Sequence, residues 1–215
     1  MSQNERRFSP GEDGKKRRGS DKRERILRAA IEVFAKKGFY ATRVSEIAKA
    51  AEVADGTIYL YFKNKDDVLI SIFEDRITKL IAVLRREIEA AEDFDSKLRR
   101  VIELQLGLLE GERDLAEVVT VNLRQSSRLL KQYGAPLFSE YIEVIAGVIE
   151  EGQREGAVRA DLSPRVVARG LWGALDGIAL TWALGGSGPA KPESLRRAAT
   201  QIATVFLSGV GSDSA

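Results

Sequence analysis

One short run, Gly56-Thr57-Ile58-Tyr59-Leu60-Tyr61-Phe62-Lys63-Asn64-Lys65, interleaves hydroxyl and ammonium donors with apolar side chains. The chemistry on offer there is recognition rather than bond-breaking. At Gly56 the missing side chain lets a helix sit close to a base edge or a phosphate, with the Thr57 hydroxyl as a short donor beside it. Tyr61 and Lys65 lie one helical turn apart, as donors to consecutive phosphates would, whereas Ile58 and Phe62 fall on a stripe that must face inward. A plainer reading of the same residues makes Tyr59 and Tyr61 half-buried aromatics under a small domain, and Lys63 and Lys65 surface lysines.

Beyond that run the inventory of reactive groups is thin. The 215 residues include no His and no Cys, so the chain cannot build a Ser-His-Asp or Cys-His nucleophile, a thiolate or imidazole zinc site, or a disulfide. Carboxylates, Lys, Ser and Tyr leave acid–base chemistry open. A carboxylate di-metal bundle, the small all-α enzyme class to weigh, uses Glu-x-x-His pairs that this chain lacks. No catalytic residue, metal ligand or cofactor is assigned, and the chain is read as a non-enzyme.

The charge balance, 34 Lys and Arg against 32 Asp and Glu, becomes informative when divided. Residues 1–68 hold 16 basic and 11 acidic residues, a net of +5, and residues 69–215 hold 18 and 21, a net of −3. A basic front on a mildly acidic body suits a nucleic-acid-binding head on a regulatory body, although five charges also fall within what a solvated surface carries by chance. The Met1 end has no apolar segment of the kind that directs secretion, and the lack of Cys fits a cytoplasmic location. The most apolar stretch, 170–184, is too short to span a bilayer and carries Asp176 at its middle, which predicts a buried helix and no membrane association.

Helices must position these groups. Residues 1–20, with one aromatic, several Gly and Ser and a Lys-Lys-Arg-Arg cluster, cannot bury enough apolar surface to fold alone and are read as a flexible basic arm. From Asp21 onward, Leu27, Ala30, Ile31 and Phe34 follow the spacing of one helical face, which Gly38 stops. A helix over 44–51 with Thr42 as a capping hydroxyl, a turn at 52–54 and a second short helix over 55–61 give the outline of a helix-turn-helix. Longer helices are predicted over 65–91, 95–110, 113–128, 136–154, 163–185 and 192–209, the fifth marked by Ser163-Pro164 as N-cap and first residue. No β-alternation competes, so the fold class is all-α. Its parts are an arm (1–20), a three-helix helix-turn-helix DNA-binding domain (21–68) and a six-helix ligand-binding and dimerisation domain (69–215).

The run from Ile47 to Leu69, IAKAAEVADGTIYLYFKNKDDVL, resembles the DNA-binding domain of the TetR family of transcriptional repressors. Ile26, Ala29, Ala30, Phe34, Gly38, Phe39 and Thr42 extend the match over roughly residues 22–70. The resemblance implies that Thr42, Arg43, Val44, Asp55, Gly56, Thr57, Tyr59, Tyr61 and Lys65 contact operator DNA. Two positions depart from the family pattern. Glu52 stands where the family usually has Gly, and a non-Gly residue in the left-handed conformation costs about 1 kcal/mol, which points to a differently built turn. Ala54 stands where Ser is frequent, so Asp55 is expected to cap the second short helix, or else to accept from a cytosine amine.

The family pattern also implies a ligand pocket among the middle helices and a dimer face on the last two, suited to a palindromic operator. Apolar Leu195, Ala198, Ala199, Ile202, Val205 and Phe206 continue one stripe, and Gly170, Gly173 and Gly177 recur beside Trp172 and Leu175. Helix-interior glycines each cost about 0.5 to 1 kcal/mol, so another backbone is expected close by, from a symmetry mate or from the same subunit. The dimer candidates are Gly173, Leu175, Gly177, Leu195, Ile202 and Phe206. Within the stripe Leu115, Val118, Val119, Asn122, Leu123 and Ser126, the polar Asn122 and Ser126 need partners from protein or ligand. Leu104, Leu108 and Leu109 serve as a pocket wall or as plain core.

Residues 53–67 and 69–73, with Val119-Thr120 and Leu123-Arg124-Gln125-Ser126, are similar to the FadR-type branch of the family. Those regulators repress fatty-acid degradation genes and leave DNA when long-chain acyl-CoA binds. The likeness implies long-chain acyl-CoA as the effector, with Leu104, Leu108, Asn122, Arg124, Ser126 and Trp172 at the ligand. Arg85, Arg86, Arg99 and Arg100 are candidates for its phosphates, or else solvated surface arginines. The alternative keeps the TetR-type repressor and changes the ligand to another hydrophobic molecule, as in efflux regulation; Asp176 between Trp172 and Trp182 is its hint.

Overall fold

The structure, a computed structural model, describes residues 12–122, 124, 135–185 and 194–211, with side chains from Ser20 onward. Its first helix, α1 (Glu12–Lys37), buries Ile26, Leu27, Ala30, Ile31 and Phe34 along one stripe. It ends where Gly38, at φ +77, turns the chain and donates its N–H to Phe34 O at 2.8 Å. α1 begins well before Asp21, so residues 12–20 are helical rather than part of a flexible arm; Glu, Lys and Arg are good helix formers and prolong a register set by the buried stripe. Residues 1–11 lie outside the described residues.

Two short helices follow, α2 (Val44–Ala50) and α3 (Asp55–Ile58), and then six longer or irregular elements. α4 (Lys65–Ala90) is capped by Asn64, whose side chain accepts from Asp67 N at 2.9 Å, while Asp67 accepts from Lys63 N at 2.7 Å. α5 (Phe94–Glu110) is capped by Asp93, which accepts from Ser96 N at 2.7 Å. The helix expected over 113–128 is broken: α6 (Arg113–Glu117) widens into a π-helical turn at Val118–Asn122. α7 (Ala135–Arg154), α8 (Pro164–Leu184) and α9 (Leu195–Val210) complete nine α-helices among the described residues, with Ser163 and Pro164 opening α8 as expected. Among the described residues no helix is long and apolar enough to cross a membrane, and no cluster of acidic residues could hold a metal ion.

Two apolar cores form, and α4 belongs to both. The head core joins Ile26, Phe34, Ile47, Ile58 and Phe62 to Leu69 and Ile72 of α4, and also takes Leu115 and Val118 from α6 and the π turn. The body core contains Ile81 and Leu84 of α4 with α5, α7, α8 and α9. The packed head therefore extends to Ile72, past the expected junction at Val68. Gly152 on α7 shows how tightly the body is filled, because a Cβ there would lie 2.6 Å from Phe94 Cδ2 and 2.7 Å from Val158 Cγ2.

Candidate functional site

The turn joining α2 to α3 has Glu52 at φ +53. Val53 N–H donates to Ala48 O at 3.0 Å and Glu52 N–H to Lys49 O at 3.2 Å. Paired bonds of this kind end many helices, usually with glycine at the left-handed residue. Glu52 thus adopts the conformation that its side chain was expected to avoid, at a cost of about 1 kcal/mol, and the last carbonyls of α2 gain donors in return. α3 starts at the uncapped Ala54, with Asp55 as its first helical residue, so Asp55 does not cap it. Nor does Thr42 cap α2. Arg43 is the N-cap, and its N–H donates to Glu46 Oε2 at 2.9 Å. Hydrogen bonds from Lys37 and then from Arg43 N hold the Glu46 carboxyl below its usual range.

Side chains of the head sort into those that can reach a duplex and those that cannot. Ile58 and Phe62 are buried in the core, as their spacing requires. Arg43, Asp55, Gly56 and Tyr59 are exposed, while Val44, Thr57 and Tyr61 are half-buried. Thr42 is the first exception, since it is buried and its hydroxyl donates to Gly38 O at 2.8 Å. Lys65 is the second. Its Nζ donates to Phe39 O at 2.7 Å, Thr42 O at 2.8 Å and Tyr40 O at 3.2 Å, and lies 4.6 Å from the centre of the Phe39 ring. Three ammonium protons on three carbonyls leave none for a phosphate, so Lys65 ties the start of α4 to the α1–α2 loop. Leu60, absent from the expected contacts, is the most solvent-exposed large apolar side chain among the described residues.

A cavity of about 550 Å³ opens between α4, α5, α6 with its π turn, α7 and α8. Phe73, Ile77, Leu80, Leu115, Phe138 and Trp172 give it apolar walls. Tyr141, buried at its edge, donates to Gln105, and burial pushes its phenol up so that it stays neutral. Charge enters as ion pairs: Arg76 with Glu112 at 3.3 Å, Lys79 with Asp75 at 2.9 Å, and Arg124 with Asp176. Arg76, Lys79 and Arg124 all line the cavity.

Of the expected ligand residues, Leu108, Arg124 and Trp172 line this cavity, and Ser126 lies outside the described residues. Leu104 packs against the body core instead. Asn122 is buried and faces the head, where its Oδ1 accepts from Phe39 N at 2.8 Å. Its polar group is satisfied by backbone, which removes the reason to seek a ligand for it. Arg85 pairs with Glu140, and Arg86 and Arg100 with Glu87, while Arg99 is exposed; none of the four lines the cavity. Arg76 and Lys79 were missed by periodicity arguments centred on α5 and α6. Arg76, three residues after Phe73 and four before Leu80, shares their helical face and could have been found by that spacing.

Residues 26–72 match the family model for bacterial regulatory proteins of the tetR family, and residues 73–190 match that for the C-terminal region of YsiA-like proteins. The chain belongs to the TetR family. A relative from Bacillus subtilis, a fatty acid metabolism regulator protein, is 38% identical over 159 residues, covering 74% of this chain and 82% of its own length. The crystal structure of the transcriptional regulator FadR from B. subtilis in complex with stearoyl-CoA superposes with a TM-score of 0.80 at 34% identity, over 87% of this chain and 98% of that one. FadR from Bacillus halodurans, a fatty acid degradation regulator, gives a TM-score of 0.80 at 31% identity over the same shares. The TetR family is one of transcriptional regulators with a helix-turn-helix that binds DNA.

In this TetR-family chain the outer faces of α8 and α9 are only partly as expected. Gly173 and Gly177 are exposed, and a Cβ on either would meet nothing among the described residues within 4 Å, so no contact with those residues explains them. Leu175 and Leu195 are instead fully buried in the subunit's own core and cannot form a dimer face. The apolar stripe of α9 was read as one surface, but α9 is covered by α5, and Leu195, Ala198 and Ala199 face that way. Ile202 and Phe206 are half-buried against the same core.

Proposed function

We propose that this chain is a transcriptional repressor that binds a palindromic operator as a homodimer and is released by long-chain fatty acyl-CoA, so controlling genes of fatty-acid degradation. It acts in the cytoplasm, where its DNA is, by binding and without catalysis. The observation that carries the reading is the apolar cavity of about 550 Å³ with Arg76, Lys79 and Arg124 at its wall. An acyl chain removes apolar surface from water there, at about 0.8 kcal/mol per methylene, and the guanidinium and ammonium groups answer phosphate. The stearoyl-CoA complex of the B. subtilis relative supports this ligand class. A hydrophobic cation is less well served, because the cavity lining carries three basic side chains, Arg76, Lys79 and Arg124, against two acidic ones, Glu112 and Asp176.

Release follows as a population shift, the effector binding better to a body whose heads are wrongly set for recognition elements spaced one duplex turn, about 34 to 36 Å. α4 carries the change, since it lines the cavity at Arg76–Leu80 and enters the head core at Leu69 and Ile72. The exposed face of α8 with Gly173 and Gly177 supplies the two-fold contact. Operator retention measured with oleoyl-CoA, free oleate and CoA alone tests the reading. Release by oleoyl-CoA is expected; release by none of the three would overturn acyl-CoA as the effector and leave the repressor standing.

A further inference from the structure

We propose that Leu60 reads the 5-methyl group of a thymine in the major groove, and so sets one base of each operator half-site; this rests on the operator-binding reading above. Leu60 is 79% exposed, although an isobutyl group gains nothing from water. Its neighbours Ile58 and Phe62 take the inward positions. The chain stays coiled through it, with Leu60 N–H donating to Thr57 O at 3.2 Å and Phe62 N–H to Ile58 O at 2.9 Å. That coiling holds Leu60 on the outer side, next to Tyr59, which is 58% exposed. One turn earlier stands Gly56, where a Cβ would meet nothing among the described residues within 4 Å, so the surface beside Leu60 is open to a close approach.

The chemistry of the side chain restricts what it can recognise. Leucine has no donor for a phosphate and none for a base nitrogen or carbonyl. Among the groups displayed in the major groove only the thymine methyl is apolar. Contact with it favours T·A at that position, and a C·G pair is disfavoured because the cytosine amine would be left against an apolar surface without an acceptor.

The test starts from a duplex selected by the full-length protein out of a random pool, in which each thymine is replaced singly by deoxyuridine, removing one methyl and nothing else. The wild type is expected to lose about fourfold in affinity at one thymine per half-site, the worth of one methyl group withdrawn from water. Leu60→Ala is expected to bind the parent duplex more weakly, to be indifferent to that replacement, and to melt at the wild-type temperature because the truncated side chain lies in solvent. A wild type insensitive to every replacement would overturn the proposal, as would a sensitive thymine that stays equally sensitive in Leu60→Ala; in both cases selection of a duplex would keep the repressor reading intact. Failure to select any duplex would overturn that reading, and the proposal with it.

Discussion

The amide N–H of Phe39 donates to Oδ1 of Asn122 at 2.8 Å, a buried bond that joins the loop after α1 to the π turn after α6. Val119 and Thr120 of the same π turn line the cavity, and Val118 packs into the head core. One irregular turn therefore touches the cavity, the head core and the backbone just after α1. π turns are rare and frequently mark functional sites.

Asn122→Ala removes the acceptor and leaves the Phe39 N–H buried without a partner, at a cost of about 1 to 3 kcal/mol. Thermal unfolding should register that loss. If the turn relays effector binding, the variant should also need at least severalfold more oleoyl-CoA for half-release from operator, measured below its melting transition. Unchanged effector response alongside lowered stability would make the bond structural only.

Lys65→Met separates a clamp from a phosphate contact. A lysine on phosphate contributes about one unit to the slope of log affinity against log salt. With its protons on the carbonyls of Phe39, Tyr40 and Thr42, Lys65 should contribute none. The variant is expected to melt earlier by an amount equivalent to about 2 kcal/mol or more, with the salt slope of operator binding unaltered. A slope lowered by one would return Lys65 to the DNA.

These residues mark the limit of what the sequence made legible. The inward positions of Ile58 and Phe62, the stop at Gly38 and the start at Ser163 and Pro164 follow from local rules of spacing and capping, and all three are found. The roles of Lys65 and Asn122 depend on carbonyl and amide groups 23 to 26 and 83 residues away, to which periodicity is blind. Leu175 and Leu195 failed for a related reason: an apolar stripe states that a face is covered, and only the packing of α8 on α7 and of α9 on α5 states by what. Arg76 was legible in principle, as a charge set into the stripe of Phe73, Ile77 and Leu80.

Glu52→Gly should relieve about 1 kcal/mol of backbone strain and so stabilise the protein, because glycine takes φ +53 without the Cβ penalty. Part of the gain is offset by the greater freedom of glycine in the unfolded chain. Chemical denaturation with an unchanged m-value would report it. Glu52→Ala, which retains the Cβ, should give little or none of the gain; equal gains from both would assign the effect to the carboxylate instead.

Acid should weaken the fold through its carboxylates. Glu46, Glu87, Glu110 and Glu151 sit below the usual 4.5, held there chiefly by hydrogen bonds with Lys37, Arg100, Ser194 and Lys97. A carboxyl lowered on folding contributes stability that is present above its unfolded pKa and is lost as pH falls through the folded value. Melting temperature should therefore fall below about pH 4.5. With no His in the chain it should stay level between about pH 5.5 and 7. A step inside that interval would contradict this assignment.

Asp176 competes with any anionic effector for Arg124. The two are ion-paired at the cavity wall, Asp176 on α8 and Arg124 beyond the π turn, and a phosphate arriving there must displace or share with the carboxylate. Asp176→Asn keeps the shape and removes the competing charge, so less oleoyl-CoA should be needed for half-release, by about tenfold or more if the freed guanidinium gains one charge-assisted hydrogen bond. Arg124→Met should shift the requirement the other way by a similar factor. Because an ion pair that water still reaches on the Arg124 side contributes little to stability, both variants should melt close to the wild type. Opposite shifts in effector requirement at constant melting temperature are the signature of a contact made to the ligand. Parallel shifts would mean instead that the pair acts as a unit, bracing α8 against the π turn.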